Sequence, residues 1–113
     1  MKFYYKGQLM RTSKNHHYTH AVIRHNEDGT ISCMGCSSSE QGAEKIMQGL
    51  GAFRNYKMWQ SVQNGTYRPK DRWSYSLERM RKEVPKEYGS IDAVVEHYKH
   101  IISRHEIVKV EEA

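Results

Sequence analysis

Residues 19–36 impose the tightest constraint on the fold. Thr19–His25 and Thr30–Cys36 alternate with strand period, and Asn26-Glu27-Asp28-Gly29 separates them. An Asp-Gly pair suits turn positions with positive φ, so the segment reads as a β-hairpin. A four-residue loop sets His25 opposite Thr30 and Val22 opposite Cys33. His20, Val22, Arg24, Ile31 and Cys33 then share one face, and Ala21, Ile23, His25, Met34 and Cys36 share the other.

A second hairpin precedes it. Phe3-Tyr4-Tyr5 and Gln8-Leu9-Met10 flank Lys6-Gly7, which predicts a two-residue turn with Phe3 facing Met10 and Tyr4 facing Leu9. Helical spacing follows. Ser37-Ser38-Ser39-Glu40 has capping-box form with Ser37 as the cap. Ala43, Ile46, Met47, Leu50, Phe53, Tyr56, Trp59 and Val62 recur at intervals of three and four, and Asn64-Gly65 gives a stop. Gly49 and Gly51 predict a bend or break near Leu50. Ser74 or Ser76 caps a short helix carrying Leu77, Met80 and Val84, which Pro85 ends. Ile91 to about Arg104 is the cleanest amphipathic helix, and Ile107–Val110 is β-branched enough to be a final strand. The expected fold is α+β, with one antiparallel sheet of two N-terminal hairpins plus a C-terminal strand, covered on one face by two to four helices. At 113 residues the chain is expected to be a single domain, 1–113.

The net charge of +5 is unevenly spread: residues 11–25 carry +3 and residues 65–89 carry +3, whereas 26–64 and 90–113 are negative. No apolar run approaches the length of a membrane span, and the first residues are too short and polar for a signal peptide. Two cysteines do not make a disulfide framework. A reducing, cytoplasmic setting without membrane contact is expected.

The most one-sided stretch is Arg11-Thr12-Ser13-Lys14-Asn15-His16-His17-Tyr18-Thr19-His20, rich in cations, imidazoles and hydroxyls, with no carboxylate. Arg11, Thr12, Ser13, Lys14, Asn15 and His16 offer donors for an anion, and an ordinary polar loop is the competing reading. The connector Thr66–Trp73 repeats the chemistry with Arg68, Lys70 and Arg72 beside Tyr67 and Trp73. Together with Arg24, these cations would make a phosphate-binding surface if both segments lay on one face. Trp73 stands one turn ahead of Leu77, which predicts that both share a helix face and anchor the connector to the core.

Cys33 and Cys36, with His17 and His20 on the partner strand, are the residue types of a zinc site. Residues three apart in a regular strand point to opposite faces, so both sulfurs could reach one ion only if Met34-Gly35 left strand geometry. A redox C-x-x-C needs a strand-to-helix turn, which this spacing does not supply. Ser13 beside histidines lacks an acid to orient an imidazole, so hydrolase chemistry is not expected. No catalytic residue, cofactor or metal is assigned.

Phe3–Gly7, Arg11–His16, Tyr18–Ile23 and Ile107–Glu111 together resemble small uncharacterised proteins of intestinal Firmicutes and their phages and mobile elements. That resemblance implies an accessory role, among which inhibitors of host defence are a frequent class. The segment from Tyr18 to Leu50 is also similar to the back half of a double-stranded RNA-binding domain. Ser38-Ser39-Glu40-Gln41 stands where that family carries basic residues, and a hairpin replaces its leading helix.

The leading expectation is a non-enzymatic binding module engaging phosphate groups of nucleic acid or a nucleotide-like ligand through a basic surface. The alternative is a phage or mobile-element accessory protein that binds and inhibits a host protein, with Tyr4, Tyr56, Tyr67 and Trp73 as anchors. A second alternative is a zinc-stabilised small domain. The terminal strand, as a free edge, would permit a homodimer in any of these.

Overall fold

Lys6 and Gly7 both take positive φ, 47° and 79°, and so close the two-residue turn between β1 (Lys2–Tyr5) and β2 (Gln8–Thr12). The computed structural model describes residues 1–83 and 86–113 and is α+β, with six strands and four helices among the described residues. They form two compact units, one of residues 1–50 with 103–113 and the other of residues 51–102.

In the first unit, Tyr4 faces Leu9 as the turn predicts, but Phe3 pairs with Arg11 rather than Met10. A bulge at Met10 shifts the register, and both Phe3 and Met10 are buried. The second hairpin joins β3 (His20–His25) to β4 (Ile31–Ser37). Its loop has five residues, because Asn26 N–H donates to Thr30 O at 2.8 Å and Gly29, at φ 84°, donates to Asn26 O at 3.1 Å. His25 therefore stands opposite Ile31, not Thr30.

The strands divide into two three-stranded antiparallel sheets, ordered β2-β1-β6 and β4-β3-β5. β5 (His105–Lys109) is an outer strand beside β3, so the expected C-terminal strand does join the second hairpin. Val110 N–H then donates to Thr19 O at 3.0 Å, and the chain crosses to β6 (Glu111–Glu112) beside β1. Met10, Ala21, Ile23, Cys36 and Val108 form one buried cluster of this unit.

Helix α1 (Glu40–Gly49) packs on β3, β4 and β5. Its cap is Ser39, whose hydroxyl accepts from Gly42 N–H at 3.0 Å. Ser37, the expected cap, is still in the ladder opposite His20. Leu50 is extended, φ −66° and ψ 146°, so the predicted break falls there and two helices result.

In the second unit, α2 (Gly51–Asn64) packs against α4 (Ile91–Ile102). Trp59, Val62, Val94 and Val95 form the core, and each fully buried valine contributes on the order of 1.5–3 kcal/mol. Ser76 caps α3 (Leu77–Lys82) by accepting from Arg79 N–H, and Ser90 accepts from Ala93 N–H at the start of α4. The predicted end of the short helix at Val84 and Pro85 lies outside the described residues. Among the described residues no helix is long and apolar enough to cross a membrane.

Candidate functional site

Gly65, at φ 82°, turns the chain at the end of α2, and Thr66 and Tyr67 N–H groups both donate to Ser61 O. The basic connector is thereby folded back along the helix. Arg54, Lys57, Met58 and Ser61 recur at helical spacing on α2, and with Thr66, Tyr67, Arg68, Lys70 and Ser74 they line a groove of about 600 Å³. Among the described residues, four of its lining side chains are cations and none is a carboxylate.

Tyr67 forms one wall. It packs on the Trp59–Val94 core and donates its hydroxyl to Tyr75 O at 2.8 Å. Next to Ser74 in the chain, Trp73 is 79% exposed, with the Arg72 guanidinium 4.8 Å from its ring. This corrects the expectation that Trp73 lies on the Leu77 helix face. Asp71 accepts from the N–H groups of Trp73 and Ser74 and from the Ser74 hydroxyl, so a turn precedes α3 and carries Trp73 outward. Arg79 lies over Tyr75 at 3.9 Å, adding a second guanidinium–aromatic stack.

Of the other aromatics proposed as partner anchors, Tyr56 and Tyr67 pack against the helical core and Tyr4 is half-buried in β1. Trp73 is the one of the four that is broadly exposed. Arg54 and Lys57 escaped the sequence reading, although their spacing on an exposed side of α2 is the signal that finds them.

The stretch Arg11–His20 lies in the first unit. Arg11 and Thr12 end β2, and the remainder loops to β3. Arg11 stacks on Tyr18 at 5.5 Å, His16 on the same ring at 5.7 Å, and Tyr18 meets Phe3 edge-on at 5.2 Å. The Ser13 hydroxyl accepts from His16 N–H at 2.9 Å, which makes it a turn cap. Lys14 and Asn15 are exposed, and Lys2, Thr12, Ser13 and Lys14 border a shallow hollow. Arg24 is half-buried, with its Nε bonded to Asn26 at 2.9 Å. Arg11, Lys14 and Arg24 thus belong to one unit, and Arg68, Lys70 and Arg72 to the other.

The cysteines depart most from regular strand geometry. Gly35 pairs with Val22 and Cys33 with Ile23, leaving Met34 as the extra residue of a bulge. Cys36 stands opposite Ala21 and Cys33 opposite Ile23, two residues apart on β3, so both thiols face the same core. Their sulfurs are 3.8 Å apart. The histidines do not join them: His17 pairs with Glu112 at 3.4 Å and His20 bonds to Thr19 at 2.7 Å. Among the described residues no three metal-ligating side chains gather, so the four-ligand zinc set is not assembled.

Hydrogen bonding with Cys36, backbone hydrogen bonding at Gly35 and the Arg11 guanidinium lower the Cys33 thiol to about 6, against the opposing effect of burial. The bond to the Cys33 sulfur, burial and the charge on Cys33 push Cys36 up. Either sulfur can donate in the bond they share, and the downward shift at Cys33 with the upward shift at Cys36 favours the thiolate at Cys33.

No protein-family model, curated protein or solved structure matches the chain.

Proposed function

We propose that this chain is a non-enzymatic binding module that engages phosphate groups of nucleic acid or of a nucleotide-like ligand. The observation carrying this reading is the groove along α2, which Arg54, Lys57, Arg68 and Lys70 line with no carboxylate among the described residues. Cations gathered in this way are held apart by solvation unless an anion joins them, and guanidinium groups bind phosphate bidentately. A volume of about 600 Å³ is in the range of small-ligand sites. Trp73, next to the groove residue Ser74, offers a π-face on which a base can stack.

Fluorescence titration tests the reading, because Trp59 is buried and Trp73 is the exposed indole. Short single-stranded DNA, the equivalent RNA and a nucleoside triphosphate are added separately at low salt. Quenching that saturates with any of them supports the module. Absence of binding to all of them overturns it.

The exposure of Trp73 also favours a second reading, in which the chain binds and inhibits a host protein through that side chain. A partner retained in a pull-down after nuclease treatment, and lost with Trp73→Ala, distinguishes it. Homodimerisation through the outer edge of β5 is read by light scattering.

A further inference from the structure

Neither the groove nor the Arg11–His20 loop uses Cys33 and Cys36, although their placement is unusual for core thiols. A regular strand would separate them onto opposite faces, and the Met34 bulge brings their sulfurs to 3.8 Å instead. Cys36 is 8% exposed within the core, whereas Cys33 is half-buried at its margin. Cys33 is therefore the more exposed residue of the pair.

We propose that Cys33 and Cys36 are a hydroperoxide-reactive dithiol that closes to an intrachain disulfide, with Cys33 as the attacking sulfur and Cys36 as the resolving one. In the first step the Cys33 thiolate attacks a peroxide oxygen. An S–O bond forms, the O–O bond breaks, and the departing hydroxide takes up a proton as water, leaving a sulfenic acid. In the second step Cys36 sulfur attacks Cys33 sulfur. The S–S bond forms, the S–O bond breaks, and hydroxide leaves with the Cys36 proton as a second water. Two thiols and one hydrogen peroxide thus become a disulfide and two waters, with two electrons passing from sulfur to peroxide.

Three features of the fold support this sequence, two bearing on the first step and one on the second. Arg11 supplies positive charge near both sulfurs, and the hydrogen bond that the sulfurs share favours the thiolate at Cys33, the more exposed residue of the two. Closing the sulfurs from 3.8 Å to the roughly 2.05 Å of a disulfide requires β4 to shift locally. Met34, without a ladder partner, lets it do so with the Val22–Gly35 and Ile23–Cys33 pairs on either side.

The test uses the reduced full-length protein with hydrogen peroxide, quenched with N-ethylmaleimide and read by intact mass and peptide mapping. The expected product is a monomer that has lost both maleimide sites at once and contains a Cys33–Cys36 link, reversed by dithiothreitol. With Cys36→Ser, a sulfenic acid at Cys33 trapped by dimedone is expected. Substoichiometric iodoacetamide on the wild-type chain should modify Cys33 over Cys36 on the order of tenfold, which checks the order of attack without a variant. Covalent dimers, oxidation of one thiol without the other in the wild type, preferential labelling of Cys36, or inertness to millimolar peroxide would each overturn the proposal.

Discussion

Gly35 and Ile46 compete for one place. Gly35 stands opposite Val22 on the side of β4 where α1 packs, and a Cβ there would lie 2.8 Å from Ile46 Cγ2. The methyl on a branched Cβ cannot swing aside as the end of a long side chain would. Gly35→Ala is expected to cost about 1–3 kcal/mol by overpacking, measured by urea unfolding. Ile46→Ala removes the obstructing atoms, so the double variant should be more stable than the sum of the single losses predicts. Additive losses would show that the helix shifts freely.

Capping offers a second measurement on the same helix. Ser39 accepts from Gly42 N–H, while Ser37 Oγ accepts from Ser39 N–H at a longer 3.3 Å. Ser39→Ala is expected to cost about 1 kcal/mol and Ser37→Ala a few tenths. The reverse order would place the helix start where the S-x-x-E spacing alone suggests.

These two cases mark where local chemistry stops determining structure. The Lys6-Gly7 turn, the Asp28-Gly29 loop, the break at Leu50 and the periodic α4 were legible because each depends on a few adjacent residues. The bulges at Met10 and Met34 were not, since both follow from packing the two sheets: one buries Met10 beside Phe3, and the other turns Cys33 toward Ile23. The cap moved from Ser37 to Ser39 because β4 keeps Ser37 in its ladder with His20. For the site, the basic connector was legible as composition. Its partners Arg54 and Lys57 were not, because only the turn at Gly65 brings the connector against α2.

The thiol pair makes a pH prediction. The groups that act on Cys33 are Cys36 on β4 and Arg11 on β2, and the side chains of Tyr5 and Tyr18 pack on the same core. Its thiol is lowered to about 6, against roughly 8.5 for a free cysteine. Iodoacetamide alkylation of Cys33 should therefore be near its plateau by pH 7 and fall as pH drops through about 6. Arg11→Ala removes a charge that favours the thiolate, so the midpoint should move upward. A midpoint near that of a free thiol would mean that Cys36 does not donate to Cys33.

The groove separates charge from stacking. With four cations lining it, up to about four phosphates are neutralised, giving a log–log salt slope near −2.8 for a single strand and roughly 50-fold weaker binding between 50 and 200 mM salt. Arg68→Ala should weaken binding at all sequences and flatten the slope by about 0.7, because one released counterion is lost. Trp73→Ala should cost about 1–3 kcal/mol per stacked base yet leave the slope unchanged, since the indole carries no charge. Arg72 stacks on Trp73, so Arg72→Ala is expected to combine both effects in smaller measure. Isothermal titration across a salt series resolves the three behaviours. If Trp73→Ala flattened the slope as Arg68→Ala does, the indole would be holding the groove in shape, not contacting a base.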